Sequence, residues 1–248
     1  MIFSVCLESL FRGMEPATSM PLVRKAGMNA IEFWSWWNKD LARMKEDKKT
    51  LGLQVAAFCT RFVSLVDDSC HAEYLTGLQE SAAVALDLGC RTLISQVGQD
   101  TGLSRDLQHA NLVKGLKACV PVLEATGITL VIEPLNLQVD HKGYYLSSSD
   151  EAFQIIDAVG SPSVKVLFDI YHQQITEGHL ISRISRNIDK IGHFHAAGNP
   201  GRHELDIGEI NYPAVFKAID DLGYQGYIGL EYFPTGDPVQ GLAKLARG

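Results

Sequence analysis

Four short apolar runs end on an ionisable side chain: ITLVIE closes on Glu133, VKVLFD on Asp169, KIGHFH on His195 and YIGLE on Glu231. A carboxylate at the end of so apolar a run is expensive to ionise unless something compensates it. Three carboxylates gathered without a cation repel one another and raise each other's pKa, whereas a divalent metal removes that penalty and holds them charged. Glu133, Asp169, His195 and Glu231 make a hard, oxygen-rich set suited to Mn2+, Mg2+ or Co2+; Zn2+ fits it less well without thiolates or several imidazoles. The competing role for any single acid is to cap a neighbouring helix or to pair with Lys or Arg. Recurrence of the pattern in four runs favours the metal.

For side chains so far apart in the chain to meet, the runs must lie side by side. Eight segments read as buried strands: residues 2–7, 30–34, 53–59, 92–97, 128–133, 164–169, 190–195 and 227–231. Continuous apolarity, rather than strict alternation, is what parallel strands covered on both faces require. Between them lie segments with helical apolar spacing. Residues 71–89 and 109–127 each close on a glycine suited to a C-cap, 147–160 opens on serines suited to an N-cap, and 212–223 has Pro213 in its first turn. Strand-then-helix units with no linker, charge block or break in composition predict an α/β fold: one closed (β/α)8 TIM barrel, a single domain over residues 1–248. An open, nucleotide-binding doubly wound sheet is the alternative. It wants a glycine-rich turn after its first strand, and CLESLFRGME holds neither GxGxxG nor GxxxxGK[ST]. In a barrel the carboxyl ends of the strands handle substrate, and alternation places Val131 with Glu133, Leu167 with Asp169, His193 with His195 and Gly229 with Glu231 on the inner face.

The bulk composition narrows the partners. Apolar residues make up 46% and charged residues 21%, as in a soluble globular protein, and a net charge of -7 disfavours binding to a nucleic-acid backbone. No run approaches the roughly 18 apolar residues of a membrane helix. MIFSVCLESLFRGME carries no basic leader, so a cytoplasmic protein is expected. The five cysteines, Cys6, Cys59, Cys70, Cys90 and Cys119, are odd in number and contain no CxxC, which predicts reduced thiols rather than a disulfide framework or zinc ribbon.

EPLNLQVDHKGYYL (133–146), FDIYHQQITEGHL (168–180), IGHFHAAGNPGRHELDIGEINY (191–212) and GYIGLEYFP (226–234) resemble the hydroxypyruvate isomerase family, within the wider xylose-isomerase-like barrels that include ketose 3-epimerases. The resemblance spans nearly the whole chain and is most specific in its C-terminal half. It implies a (β/α)8 barrel, one divalent metal ion with Mn2+ or Mg2+ foremost, a small hydroxy-carbonyl substrate and a homo-oligomer. By position, Glu133, Asp169, His195 and Glu231 match the metal-binding quartet, and Glu133 and Glu231 match the acid/base pair of an isomerase working through an enediolate. The same resemblance implies that His172 touches substrate and that Arg202, after AAGNPG, clamps a carboxylate in bidentate fashion. Two positions pull in opposite directions. Hydroxypyruvate isomerases often carry Gln where His195 stands, and ketose 3-epimerases usually His; yet the acid that epimerases place six residues after the first metal Glu is Val139 here. A ketose 3-epimerase of the tagatose or psicose type is therefore the alternative. Apurinic-site endonuclease chemistry would need a His-rich multi-zinc cluster and a basic DNA face, and a non-catalytic sugar-binding barrel would have no need of both glutamates.

The remaining residues of interest have plainer readings. His193 reads as a hydrogen-bonded core histidine. Glu32 stands near the end of the second strand, either behind the site or paired with a helix cation, and Glu8 is a weaker pocket candidate. WSWW (34–37) reads first as packing, and otherwise as a pocket wall or subunit contact.

Overall fold

Each of the eight apolar segments becomes a strand in the computed structural model, which describes residues 1–246. They are β1 (Ile2–Cys6), β2 (Ala30–Phe33), β3 (Gln54–Cys59), β4 (Thr92–Ser95), β5 (Thr129–Ile132), β6 (Val164–Asp169), β7 (Ile191–Ala196) and β8 (Tyr227–Leu230). Every neighbouring pair is parallel, and β8 returns to β1 through Ile2↔Tyr227 to Val5↔Leu230, which closes the barrel. Glu133 and Glu231 each stand one residue beyond their strands, where the backbone leaves the ladder.

The expected helices form with the expected ends. His71–Leu88 stops at Gly89 and Arg105–Thr126 at Gly127, both glycines in the left-handed region with φ of 69° and 64°. The second of these starts four residues before position 109, because the Ser104 side chain accepts from the Leu107 N–H and opens the helix there. Ser148 caps Ser149–Val159 through the Glu151 N–H, and Asn211 caps Tyr212–Asp221 through the Ala214 N–H. Among the described residues no helix is long and apolar enough to cross a membrane.

Outward-facing strand residues such as Leu130, Ile132, Phe168, Phe194 and Ile228 pack in the main core with the helices, whereas Ala57, Cys59, Ile94, Val131 and Leu167 form a separate cluster inside the barrel. That inner cluster comes only from β3 to β6. On β1, β2 and β7 the corresponding space holds Ser4, Glu32 and His193, each at most 2% exposed. The barrel interior is thus apolar on one half and polar on the other, where branched aliphatic layers are the usual filling.

Candidate active site

A cavity of about 430 Å³ opens at the carboxyl ends of the strands, with Glu133, His195, Glu231, His172 and Arg202 in its lining and Trp34, Phe62, Leu135 and Phe233 as apolar walls. One oxygen or ring nitrogen from each of Glu133, Asp169, His195 and Glu231 lies within 4.8 Å of the other three. None of the four residues is more than 6% exposed. The quartet expected from sequence is therefore brought together, from four strand ends.

Local structure aims each member. Asp169 ends β6 and caps the helix Ile170–Thr176: its Oδ1 accepts from the Tyr171 N–H at 2.8 Å and the His172 N–H at 3.1 Å. Its Oδ2 turns to the cluster, 3.3 Å from an Arg202 guanidinium nitrogen. Helix capping, weighed against metal binding at the sequence level, here uses one oxygen and leaves the second facing the cluster, where Arg202 donates to it. His195 on β7 points Nδ1 at Glu231 Oε2 (3.1 Å) and Glu133 Oε1 (3.5 Å), and its Nε2 the other way, at Glu32 Oε1 (3.3 Å). Glu231 accepts from the Trp34 indole N–H through Oε1 and from Arg202 through Oε2.

The environments push the two glutamates apart. Burial raises Glu133 to about 7, aided by the charges of Glu231 and Asp169 and opposed by its contact with His195. Burial acts in the same sense on Glu231, but His195, Arg202 and the Trp34 hydrogen bond outweigh it and hold that carboxyl well below its ordinary range. Asp169 is raised, by burial first, against the pull of Arg202 and His195. His195 is driven up despite burial, by Glu231, Glu32 and Glu133. Burial lowers His172, with Arg202 and His141 adding to the effect. Two carboxyls held at different proton affinities in one cavity are what an acid and a base require.

His172 is fully buried, and the backbone N–H of Asn136 donates to its Nδ1 at 3.3 Å. The ring proton therefore sits on Nε2, which has no hydrogen-bond partner. Arg202 occupies the left-handed region at φ 56°, a conformation that is uncommon outside glycine and that gathers at functional sites. There its side chain, 11% exposed, pairs with Asp169 and Glu231 and lies over the Tyr171 ring. A solvated loop charge, its plainest reading from residue type alone, is not what forms.

Other readings resolve individually. His193 is a core histidine bonded to Glu32 Oε2 at 2.8 Å, so Glu32 sits behind the site and pairs with no helix cation. Glu8 lies outside the cavity lining, held by Lys39 and by the Trp34 N–H. Of WSWW, Trp34 walls the cavity, Trp36 is packed with its N–H on Ser81, and Trp37 stacks edge-on against Phe62. Asp140 was missed: Val139 is 67% exposed, while its neighbour Asp140 lines the cavity and accepts from Tyr171 OH and Asn136. The signal was one residue from the position inspected.

The donor set fits a hard divalent cation. Glu133 Oε1 and both ring nitrogens of His195 are buried without a hydrogen-bond partner, an arrangement that normally demands an explanation. Cys59 also lines the cavity, where burial together with Glu133 and Glu231 pushes its thiol up, but it is not one of the four residues whose ligand atoms converge. Among known proteins, the xylose isomerase-like TIM barrel family model matches residues 20–247. A hydroxypyruvate isomerase from Escherichia coli is 37% identical over 97% of this chain and 96% of its own length. A 2-oxo-tetronate isomerase from Cupriavidus necator is 43% identical, but over 55% of this chain and 52% of that protein, so the match spans about half its length. Among solved structures, an AP endonuclease, family 2, from Brucella melitensis superposes with a TM-score of 0.95, at 29% identity over 99% of this chain and 98% of that one.

Proposed function

Taking as premise that this chain belongs to the xylose isomerase-like TIM barrels and, within them, to the hydroxypyruvate isomerase family, we propose that it is a divalent-metal-dependent isomerase. It would interconvert small hydroxy-carbonyl compounds of the hydroxypyruvate and tartronate semialdehyde type, or a related keto acid or sugar. The observation that carries the reading is the buried meeting of Glu133, Asp169, His195 and Glu231 in a cavity whose two glutamates differ in proton affinity.

These four residues would hold the ion, with Mn2+ or Mg2+ the best match to three carboxylates and one imidazole and Co2+ or Zn2+ next. A divalent cation there supplies positive charge to the carbonyl and hydroxyl oxygens of the substrate. The remaining work belongs to the chain. Glu133 and Glu231, which both line the cavity, are suited to take a proton from carbon and give one back. His172 offers a neutral Nε2–H to a substrate oxygen, and Arg202 offers its guanidinium to a substrate carboxylate. Trp34, Phe62, Leu135 and Phe233 keep bulk water from the reacting carbons.

A second reading, a ketose 3-epimerase, draws support from His195 in place of the Gln common in hydroxypyruvate isomerases, and from Asp140 beside the cavity. Product NMR in D2O separates the two. The Mn2+-supplemented protein is given hydroxypyruvate, four-carbon keto acids and C4 to C6 ketoses; carbonyl migration supports the isomerase and inversion at one carbon the epimerase. Conversion of none of them overturns both. The reading takes a homo-oligomeric, cytoplasmic protein with a small molecule as its partner, without nucleic acid or membrane, in keeping with its net charge of -7 and five free thiols.

A further inference from the structure

Among the described residues four carboxylates are buried at or beside the cavity, and the proposed chemistry uses three. The fourth, Glu32, projects from β2 into the barrel and does not line the cavity. Its Oε2 takes the His193 Nε2 at 2.8 Å and the Ser4 hydroxyl at 3.3 Å. Its Oε1 faces His195 Nε2 at 3.3 Å, and both atoms are buried with no hydrogen-bond partner, which leaves each as the other's nearest complement.

The fold makes room for this contact. The register sets Gly229 of β8 opposite His195, and a Cβ at Gly229 would fall 2.0 Å from Glu32 Oε1 and 2.6 Å from His195 Cδ2. Any side chain there would drive the pair apart. The chemical type is equally constrained: two imidazole nitrogens and a hydroxyl converge on one group, and only an acceptor-only group can receive hydrogens from all three.

We infer that Glu32 is a positioning residue: it accepts the Nε2–H of His195 and so presents the Nδ1 lone pair of that ring to the cation site shared with Glu133, Asp169 and Glu231. The inference rests on the proposed metal dependence and adds a carboxylate that fixes the tautomer and aim of its only imidazole ligand. Glu32→Gln keeps the shape but replaces one acceptor oxygen with a donor, so His193 and His195 can no longer both donate to it.

The test uses the full chain with Mn2+ alone, its binding read from the free-ion EPR signal, and with diamagnetic Zn2+ for long-range 1H–15N NMR of the His195 ring. In the parent protein the Zn2+ form shows His195 protonated at Nε2. Glu32→Gln raises the Mn2+ dissociation constant by about 10- to 100-fold, and its His195 ring no longer shows a single Nε2-protonated state. Folded Glu32→Gln and Glu32→Ala proteins that bind Mn2+ as the parent does, with the ring unchanged, overturn the inference. A parent Zn2+ complex with the ring proton on Nδ1 overturns it without any variant, so misfolding of Glu32→Ala leaves the question decidable. A parent chain that binds neither ion overturns the proposed function as well; a parent that binds Mn2+ no better than its Glu32 variants overturns this inference alone.

Discussion

Replacing Glu133 by Gln should stabilise the metal-free protein at alkaline pH while abolishing the proposed cation site. The folded state holds the Glu133 carboxyl at about 7 against an ordinary value of 4.5, chiefly through burial. Between those values the folded chain keeps a proton that the unfolded chain has released, so this group's contribution to stability falls as pH rises through the window and is fully lost above it. At about 1.4 kcal/mol per unit, the ionised side chain costs about 3 kcal/mol by pH ~8. Gln does not ionise. The stability difference between the variant and its parent should therefore grow from near zero at acid pH to about 3 kcal/mol in favour of the variant. Urea unfolding in EDTA, followed by tryptophan fluorescence at a series of pH values, measures it directly. Mn2+ at a thousand times its Kd should reverse the order, because it adds about 4.1 kcal/mol to the protein that binds it. A pH-independent difference, or a variant less stable than its parent in metal-free alkaline solution, refutes the argument.

Three further outcomes follow from the same geometry. The protons on Glu133 and His195 both compete with the cation, so Mn2+ affinity should fall by at least about tenfold per pH unit below about 7; calorimetry in buffers of different ionisation enthalpy reads the released protons. Arg202→Lys should raise KM for a keto acid by about tenfold or more with a smaller change in kcat, because an ammonium cannot reproduce the guanidinium's fork toward a carboxylate; steady-state kinetics with acidic and neutral substrates distinguish this from a general loss of activity. Gly229→Ala should destabilise the fold by about 1–3 kcal/mol, since its Cβ would overlap Glu32 Oε1; a thermal or urea melt checks it.

Much of the barrel was legible in the sequence because parallel strands covered on both faces leave uninterrupted apolar runs, and the observed strand ends differ from those read in the sequence by at most two residues. The quartet was legible for a related reason: an ionisable residue closing an apolar run marks the point where a strand reaches the rim. Glu32 was legible only as one of two alternatives, because its partner depends on which strands face each other across the interior, and the β2–β3 register shifts between Ile31 and Glu32. Such an irregularity re-aims a side chain without altering the local pattern. Asp140 escaped for a loop reason: Asn136 Oδ1 accepts from the Val139 and Asp140 N–H groups, and the resulting turn, rather than a fixed spacing, decides which side chain faces inward. The indole of Trp34 reaches Glu231 across 197 positions of chain, a pairing that only closure of β8 onto β1 creates.

The halved interior of the barrel also partitions where innovation can occur. Within the cluster of Ala57, Cys59, Ile94, Val131 and Leu167, packed beside the ionisable rim, exchanges among aliphatics of similar volume are absorbed by small shifts. On the opposite half, Ser4 and His193 both bond Glu32 Oε2, and a single replacement strands its neighbours in a dry environment. Substrate choice can drift, in nature or in a directed library, through the first half and the cavity wall above it, while the second half stays fixed beneath the histidine it supports.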